Sequence, residues 1–116
     1  MVFFADNLKR NVWVAHWTLI DSIRQYSTPS VTRWNWRTMS SDAEMQTYGP
    51  QYTDYCIATI PNDEATNIRP FDRVWHTVPS NANDKLATDA QYEVVSVDSS
   101  VGGVTRITYR KLSKDA

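Results

Sequence analysis

The chain has 116 residues, the usual size of one domain, and no Pro/Gly/Ser stretch long enough to divide it, so residues 1–116 are read as a single unit. Twelve Lys and Arg against 13 Asp and Glu leave a net charge of -1, which excludes a global field as the means of attracting phosphate backbones or anionic lipid. The single cysteine, Cys56, excludes an intramolecular disulfide and suits a reducing cytosol, and no apolar run approaches the ~20 residues of a membrane span.

Met1-Val2-Phe3-Phe4 is too short for the apolar part of a signal peptide and is followed at once by Asp6, Lys9 and Arg10, so a soluble chain without a cleaved signal is expected. Phe4 and Leu8 stand four apart, and residues 1–10 read as an N-terminal arm or a short helix. Asn11 to Thr18 is rich in β-formers without polar alternation and predicts a strand buried on both faces. Asp21 to Ser30, with Tyr26-Ser27-Thr28-Pro29-Ser30, predicts turn or loop.

Val31 to Arg37 predicts a second strand with Val31, Arg33, Asn35 and Arg37 on one face and Thr32, Trp34 and Trp36 on the other. Residues 38–51 are polar and lack β periodicity, which predicts one long loop, although Ser41 followed by Glu44 allows a short capped helical turn. Tyr52 to Ile60 alternates, with Tyr52, Asp54, Cys56, Ala58 and Ile60 opposite Thr53, Tyr55, Ile57 and Thr59. Phe71 to Val78, bounded by Pro70 and Pro79, predicts a fourth strand, and Ser80 to Ala90 a polar connection. Gln91 to Val97 and Val104 to Leu112 predict a closing hairpin, its loop made possible by Gly102-Gly103. Six sequential strands without long helical crossovers predict a mainly β fold, a small antiparallel β-barrel or sandwich with one long inserted loop.

The residues that enzymes need at fixed spacing are not assembled in this sequence. One Cys and two His fall short of a structural zinc site, and Gly49 and Gly102-Gly103 do not make a phosphate loop, so no catalytic residue, metal or cofactor is expected. His16 and His76 lie inside apolar strands and read as structural. Asp42 with Glu44, and Asp63 with Glu64, read as solvated acids in polar loops. Arg33 and Arg37 share one strand face, and Arg106 and Arg110 share another. Both sets read as solvent faces, as contacts to carboxylates such as Asp54, Asp72 or Glu93 of a neighbouring copy, or as a lining for passing DNA, which the acids scattered among them dilute. Trp34 and Trp36 on one face, with Trp13, Trp17 and Trp75, read first as core, but five tryptophans are many for one small core, which makes at least one of them a candidate subunit anchor.

The order of these elements carries a resemblance. Asp72-Arg73-Val74, then Tyr92-Glu93-Val94-Val95-Ser96-Val97, then the strand from Val104 to Leu112 follow the pattern of a D-R-V, a Y-x-V-x-x-V and a final strand. In this the chain resembles the head-closure proteins of tailed bacteriophages, the head-tail connector stoppers also called minor capsid proteins, over about residues 11 to 112. It departs from the pattern in one place, where Pro70-Phe71 stands for the usual Gly before D-R-V.

The resemblance implies a homo-oligomeric ring, six- or twelve-fold, under the portal and adaptor in the virion neck, assembled in the host cytoplasm. Such a ring seals the packaged double-stranded DNA that passes its channel and docks the tail proteins, with no membrane involved. It further implies that Ser40, Asp42, Glu44 and Gln46 project into the channel, where like charge repels phosphate, and that Arg33, Arg37, Arg73, Arg106, Arg110, Trp34 and Trp36 serve subunit or partner contacts. The alternative is a small β-barrel binding module for single-stranded nucleic acid or a ligand, which needs a basic groove lined with exposed aromatics.

Overall fold

A computed structural model describes residues 9–64 and 67–112, so the expectation for the N-terminal arm falls mostly outside the described residues. Six strands close into an antiparallel barrel: β1 (Arg10–Ala15), β4 (Ser30–Thr38), β5 (Tyr55–Pro61), β8 (Val104–Lys111), β7 (Tyr92–Val101) and β6 (Arg73–Trp75), in that order around the wall. The mainly β barrel expected from the alternation is what forms. Alternation sets its inside: Val12 and Val14, Trp34, Cys56, Ala58 and Ile60, Val74, Val94, Ile107 and Tyr109 fill the interior, with Trp36, Tyr92 and Val97 packed against them. Closure leaves the barrel no unpaired edge, the feature through which small sheets otherwise aggregate.

The closing hairpin is tighter than its sequence suggests. β7 and β8 run to Val101 and Val104 and turn on Gly102-Gly103 alone, both at a φ of 76°, the two successive positive values that a type I′ turn demands. A register shift between Val94 and Ser96 bulges β7 at Val95, so Val94 and Val97 both face inward and Ser96 and Asp98 outward. Beside this turn Thr105, fully buried, donates its hydroxyl to Asn62 Oδ1 at 2.7 Å and is bonded to the Ser99 hydroxyl at 2.9 Å.

Three segments differ from their sequence reading. The strand expected over Asn11 to Thr18 breaks at His16, where the chain leaves the barrel. β2 (Trp17–Ile20) and β3 (Ile23–Tyr26) then form a separate two-stranded ribbon, with β3 where a loop was expected. Its turn, Asp21-Ser22, has φ of 53° and 66°, a left-handed pair made without glycine and therefore invisible as a hairpin signal. The strand expected over Phe71 to Val78 pairs only from Arg73 to Trp75. The 38–51 segment is not an open loop: it holds a helix, α1 (Asp42–Tyr48), and a 3-10 turn over Gly49–Asp54 that delays β5 to Tyr55.

The ribbon and the 80–90 connection cover the outer side of β1 and β6 and make a second core. Ala15, Tyr26, Trp75, Ala87 and Ala90 are buried there, with Trp13, Trp17 and Leu112 against them. This explains the missing alternation in β1, whose inner and outer faces are both covered. The polar connection keeps its shape through side-chain turns. Asp84 accepts from the Leu86 and Thr88 N–H groups, and Asp89 from those of Ser80 and Asn81, which seats Ala87 and Ala90 in the core.

Asp72 joins the two cores. Its carboxylate is fully buried, and it accepts from the Trp17 N–H at 3.2 Å, the Arg69 N–H at 3.0 Å and His16 Nδ1 at 2.8 Å. Around it Trp17 Nε1 donates to the Pro70 carbonyl, and the Arg69 guanidinium donates to the Trp17 carbonyl while lying over the Trp17 ring. Tyr26 donates its hydroxyl to the Phe71 carbonyl and accepts from Arg73 Nε. His16, read as structural, is one of the clamps that hold the ribbon to the barrel.

Candidate functional site

Three surfaces hold the residues singled out by sequence: the outer wall, the capped helix and one mouth of the barrel. On the wall, register places Arg110 of β8 opposite Glu93 of β7 and Tyr55 of β5, and Glu93 opposite Arg73 of β6. Arg73 and Glu93 form an ion pair at 3.2 Å. Four residues back along β8, Arg106 lies opposite Asp98 and Thr59, and Asn35 follows Thr59 on β4. Arg33 and Arg37 are exposed on β4, one strand beyond β5. Cross-strand pairs of opposite charge each stabilise a sheet by roughly 0.2–1 kcal/mol, so part of this arginine set supports the barrel itself.

The helix is tied to the same wall. Ser41 accepts from the Glu44 N–H, and Glu44 accepts from the Ser40 and Ser41 N–H groups, a capping box. Arg37 grips the Glu44 carboxylate with both guanidinium nitrogens, at 3.1 and 2.7 Å. The Arg37 guanidinium and these N–H groups hold the Glu44 carboxyl far below the ordinary carboxylate range, so the clasp survives moderate acid. Ser40, Asp42 and Gln46 stay exposed, as do Met45 and Tyr48.

At the mouth beside the helix each strand contributes a residue of inward parity: Arg10 of β1, Trp36 of β4, Cys56 of β5, Tyr109 of β8, Tyr92 of β7 and, just past β6, His76. The His76 ring stacks on Trp36 with centroids 3.8 Å apart, meets Tyr92 at 4.2 Å, and bonds through Nε2 to the Tyr109 hydroxyl at 2.8 Å. Arg10, exposed, places its guanidinium carbon 3.4 Å from the Trp36 centroid and donates to the Trp36 carbonyl at 2.7 Å. Burial raises the Cys56 thiol and the Tyr92 and Tyr109 phenols, so all three stay protonated at neutral pH. No group of His, Cys, Asp or Glu with the makings of a metal site occurs among the described residues.

No family model, curated protein or solved structure matches this chain.

Geometry alone therefore sorts the candidates. Trp34 is only 2% exposed, inside the barrel against Tyr109, and is core where a subunit anchor was expected, because the even positions of β4 point inward. Trp36 follows the same parity and lies beneath Arg10. Asp72, read as a carboxylate for a neighbour, is buried on its own ribbon, and Glu93 is taken by Arg73 of the same chain. Arg37, likewise expected at a neighbour, holds Glu44. Sequence reading missed the mouth, because Arg10, Cys56 and Tyr92 lie far apart along the chain and converge only when the barrel closes.

His76 gives the mouth a pH signature. Burial, with the Arg10 charge adding, pushes its pKa down to about 4, whereas the imidazole of an unfolded chain titrates near 6.5. Between these values the unfolded chain holds a proton that the folded chain lacks, so stability is full above about pH 6.5 and falls as pH drops toward 4. We expect a loss of roughly 1–2 kcal/mol across that window, after discounting for the part of the ring that meets water. Urea unfolding at pH 7 and pH 4.5 measures it, and His76→Gln should flatten the difference.

Proposed function

We propose that this chain is a head-closure protein of a tailed-phage connector, forming a ring beneath the portal and adaptor that seals packaged DNA and docks the tail. The observation that carries the reading is a pair of apolar projections at opposite ends of a barrel with no open edge. β1 and β4 are antiparallel, so the ribbon that follows β1 and the helix that follows β4 leave from opposite ends. At the ribbon tip Leu19 is 62%, Ile20 48% and Ile23 56% exposed, and at the other end α1 presents Met45 and Tyr48.

The closed barrel offers no edge for strand addition, so association through its wall runs through side-chain patches, while the two-stranded ribbon keeps its own edges. Two unlike patches at opposite ends suit contacts with unlike partners on either side of a ring, which leaves the wall to the copies within it. Phe71, which stands where the resembled pattern has Gly, has a φ of 76°, a left-handed conformation that Gly in general adopts without strain. In this arrangement Ser40, Asp42 and Gln46 face the channel, with Glu44 spent on holding the helix. Arg33, Arg106 and Arg110 on the wall face the neighbouring copy.

Changing Leu19, Ile20 and Ile23 together to serine tests the reading. Exposed substitutions of this kind leave folding within about ±0.5 kcal/mol each. Binding of the variant to the portal and adaptor complex of its own particle, followed by sedimentation, should weaken at least about tenfold, or about 1.4 kcal/mol. Binding equal to that of the unaltered chain would remove the ribbon tip from the proposal.

A further inference from the structure

From the barrel mouth we infer that the Arg10-capped stack is a binding site for a planar ring bearing an anionic group, a site separate from any assembly role. Arg10 and His76 lie 3.4 and 3.8 Å from the Trp36 ring, and two planar groups at those distances cannot share one face. The order is therefore Arg10, Trp36, His76, Tyr92, with the inner three packed into the barrel and only the outermost plate carried on an exposed side chain.

Lifting Arg10 off Trp36 uncovers one face of a rigid indole. A planar ring stacks there as the guanidinium did, because base and aromatic stacking on tryptophan does not depend on a particular ring. The displaced guanidinium, still attached at the rim, then pairs with an anionic substituent, the geometry at which arginine excels. A second feature asks for an acceptor: Trp36 Nε1 is buried and has no hydrogen-bond partner among the described residues. The remaining lining accounts for itself internally, His76 with Tyr109 and Cys56 with Thr38, so Arg10 is the group left to pair with a ligand.

The test is a titration of the isotope-labelled full chain by NMR at pH 7, following the Trp36 indole N–H, assigned with Trp36→Phe. The probes are indole-3-acetate and adenosine 5′-monophosphate, each beside its uncharged counterpart, indole and adenosine. A saturable shift of the Trp36 resonance is expected with at least one anion, at least about tenfold tighter than with its counterpart, and the two anions separate carboxylate from phosphate as the preferred charge. In Arg10→Ala the uncharged ring should still bind while the preference for the anion falls below about twofold. Arg10→Gln, which retains a donor for the Trp36 carbonyl, takes its place should Arg10→Ala lose spectral dispersion. A Trp36 resonance unmoved by all four probes, equal affinity for charged and uncharged partners, or a preference that survives loss of Arg10 would each overturn the inference.

Discussion

Replacing Asp72 with alanine is expected to lower the unfolding free energy by about 3–5 kcal/mol, the cost of stripping the acceptor from a buried charge network. The fully buried carboxylate serves two backbone N–H groups and an imidazole at once. With alanine, the part-buried Trp17 and Arg69 N–H groups lose their acceptor, and His16 loses its hold. Asp72→Asn keeps one carbonyl oxygen but turns a donor toward the others, so it should cost less, though still more than about 1 kcal/mol. Urea unfolding followed by tryptophan fluorescence measures both. Because Asp72 fastens the ribbon, amide exchange at Trp17 and Tyr26 should speed up more than exchange at Ile107. Uniform acceleration across barrel and ribbon would mean that Asp72 supports the whole fold and not that junction.

The second large effect concerns Trp34. Inside the barrel it lies 5.8 Å from Tyr109 at a 60° tilt, and truncation to alanine leaves a void between β4 and β8 that a closed wall cannot collapse to fill. A loss of about 3–5 kcal/mol is expected. Against the 5–15 kcal/mol by which domains of this kind are typically stable, roughly a fifth or more of the margin disappears. The same denaturation experiment decides between core and contact. A Trp34→Ala chain that unfolds like the parent, while losing only its association, would restore Trp34 to the interface.

Much of the barrel was legible because its walls obey a period of two. Cys56, Ala58 and Ile60 read as one face and are one face, as do Trp34 and Trp36, and Gly102-Gly103 marks the turn where it occurs. The capping pair Ser41 and Glu44 foretold a helical turn inside what was otherwise read as loop, although not that Arg37 would dock it. The ribbon escaped notice because its turn takes left-handed angles at Asp21 and Ser22, residues that do not advertise them. The arginine faces were read correctly as faces. Their partners could not be, since Glu93 and Arg73 are neighbours only through barrel closure. The mouth is the extreme case, with residues drawn from six strands and no local pattern to announce them.

In the proposed assembly, the closed barrel with its two unlike apolar ends forms one layer in a stack. Native mass spectrometry of the chain alone, and then with the portal and adaptor complex of its own particle, addresses it most directly. The account predicts single chains or weak oligomers in isolation, and six or twelve copies added together to the complex. Chains that remain single in the presence of that complex would contradict it.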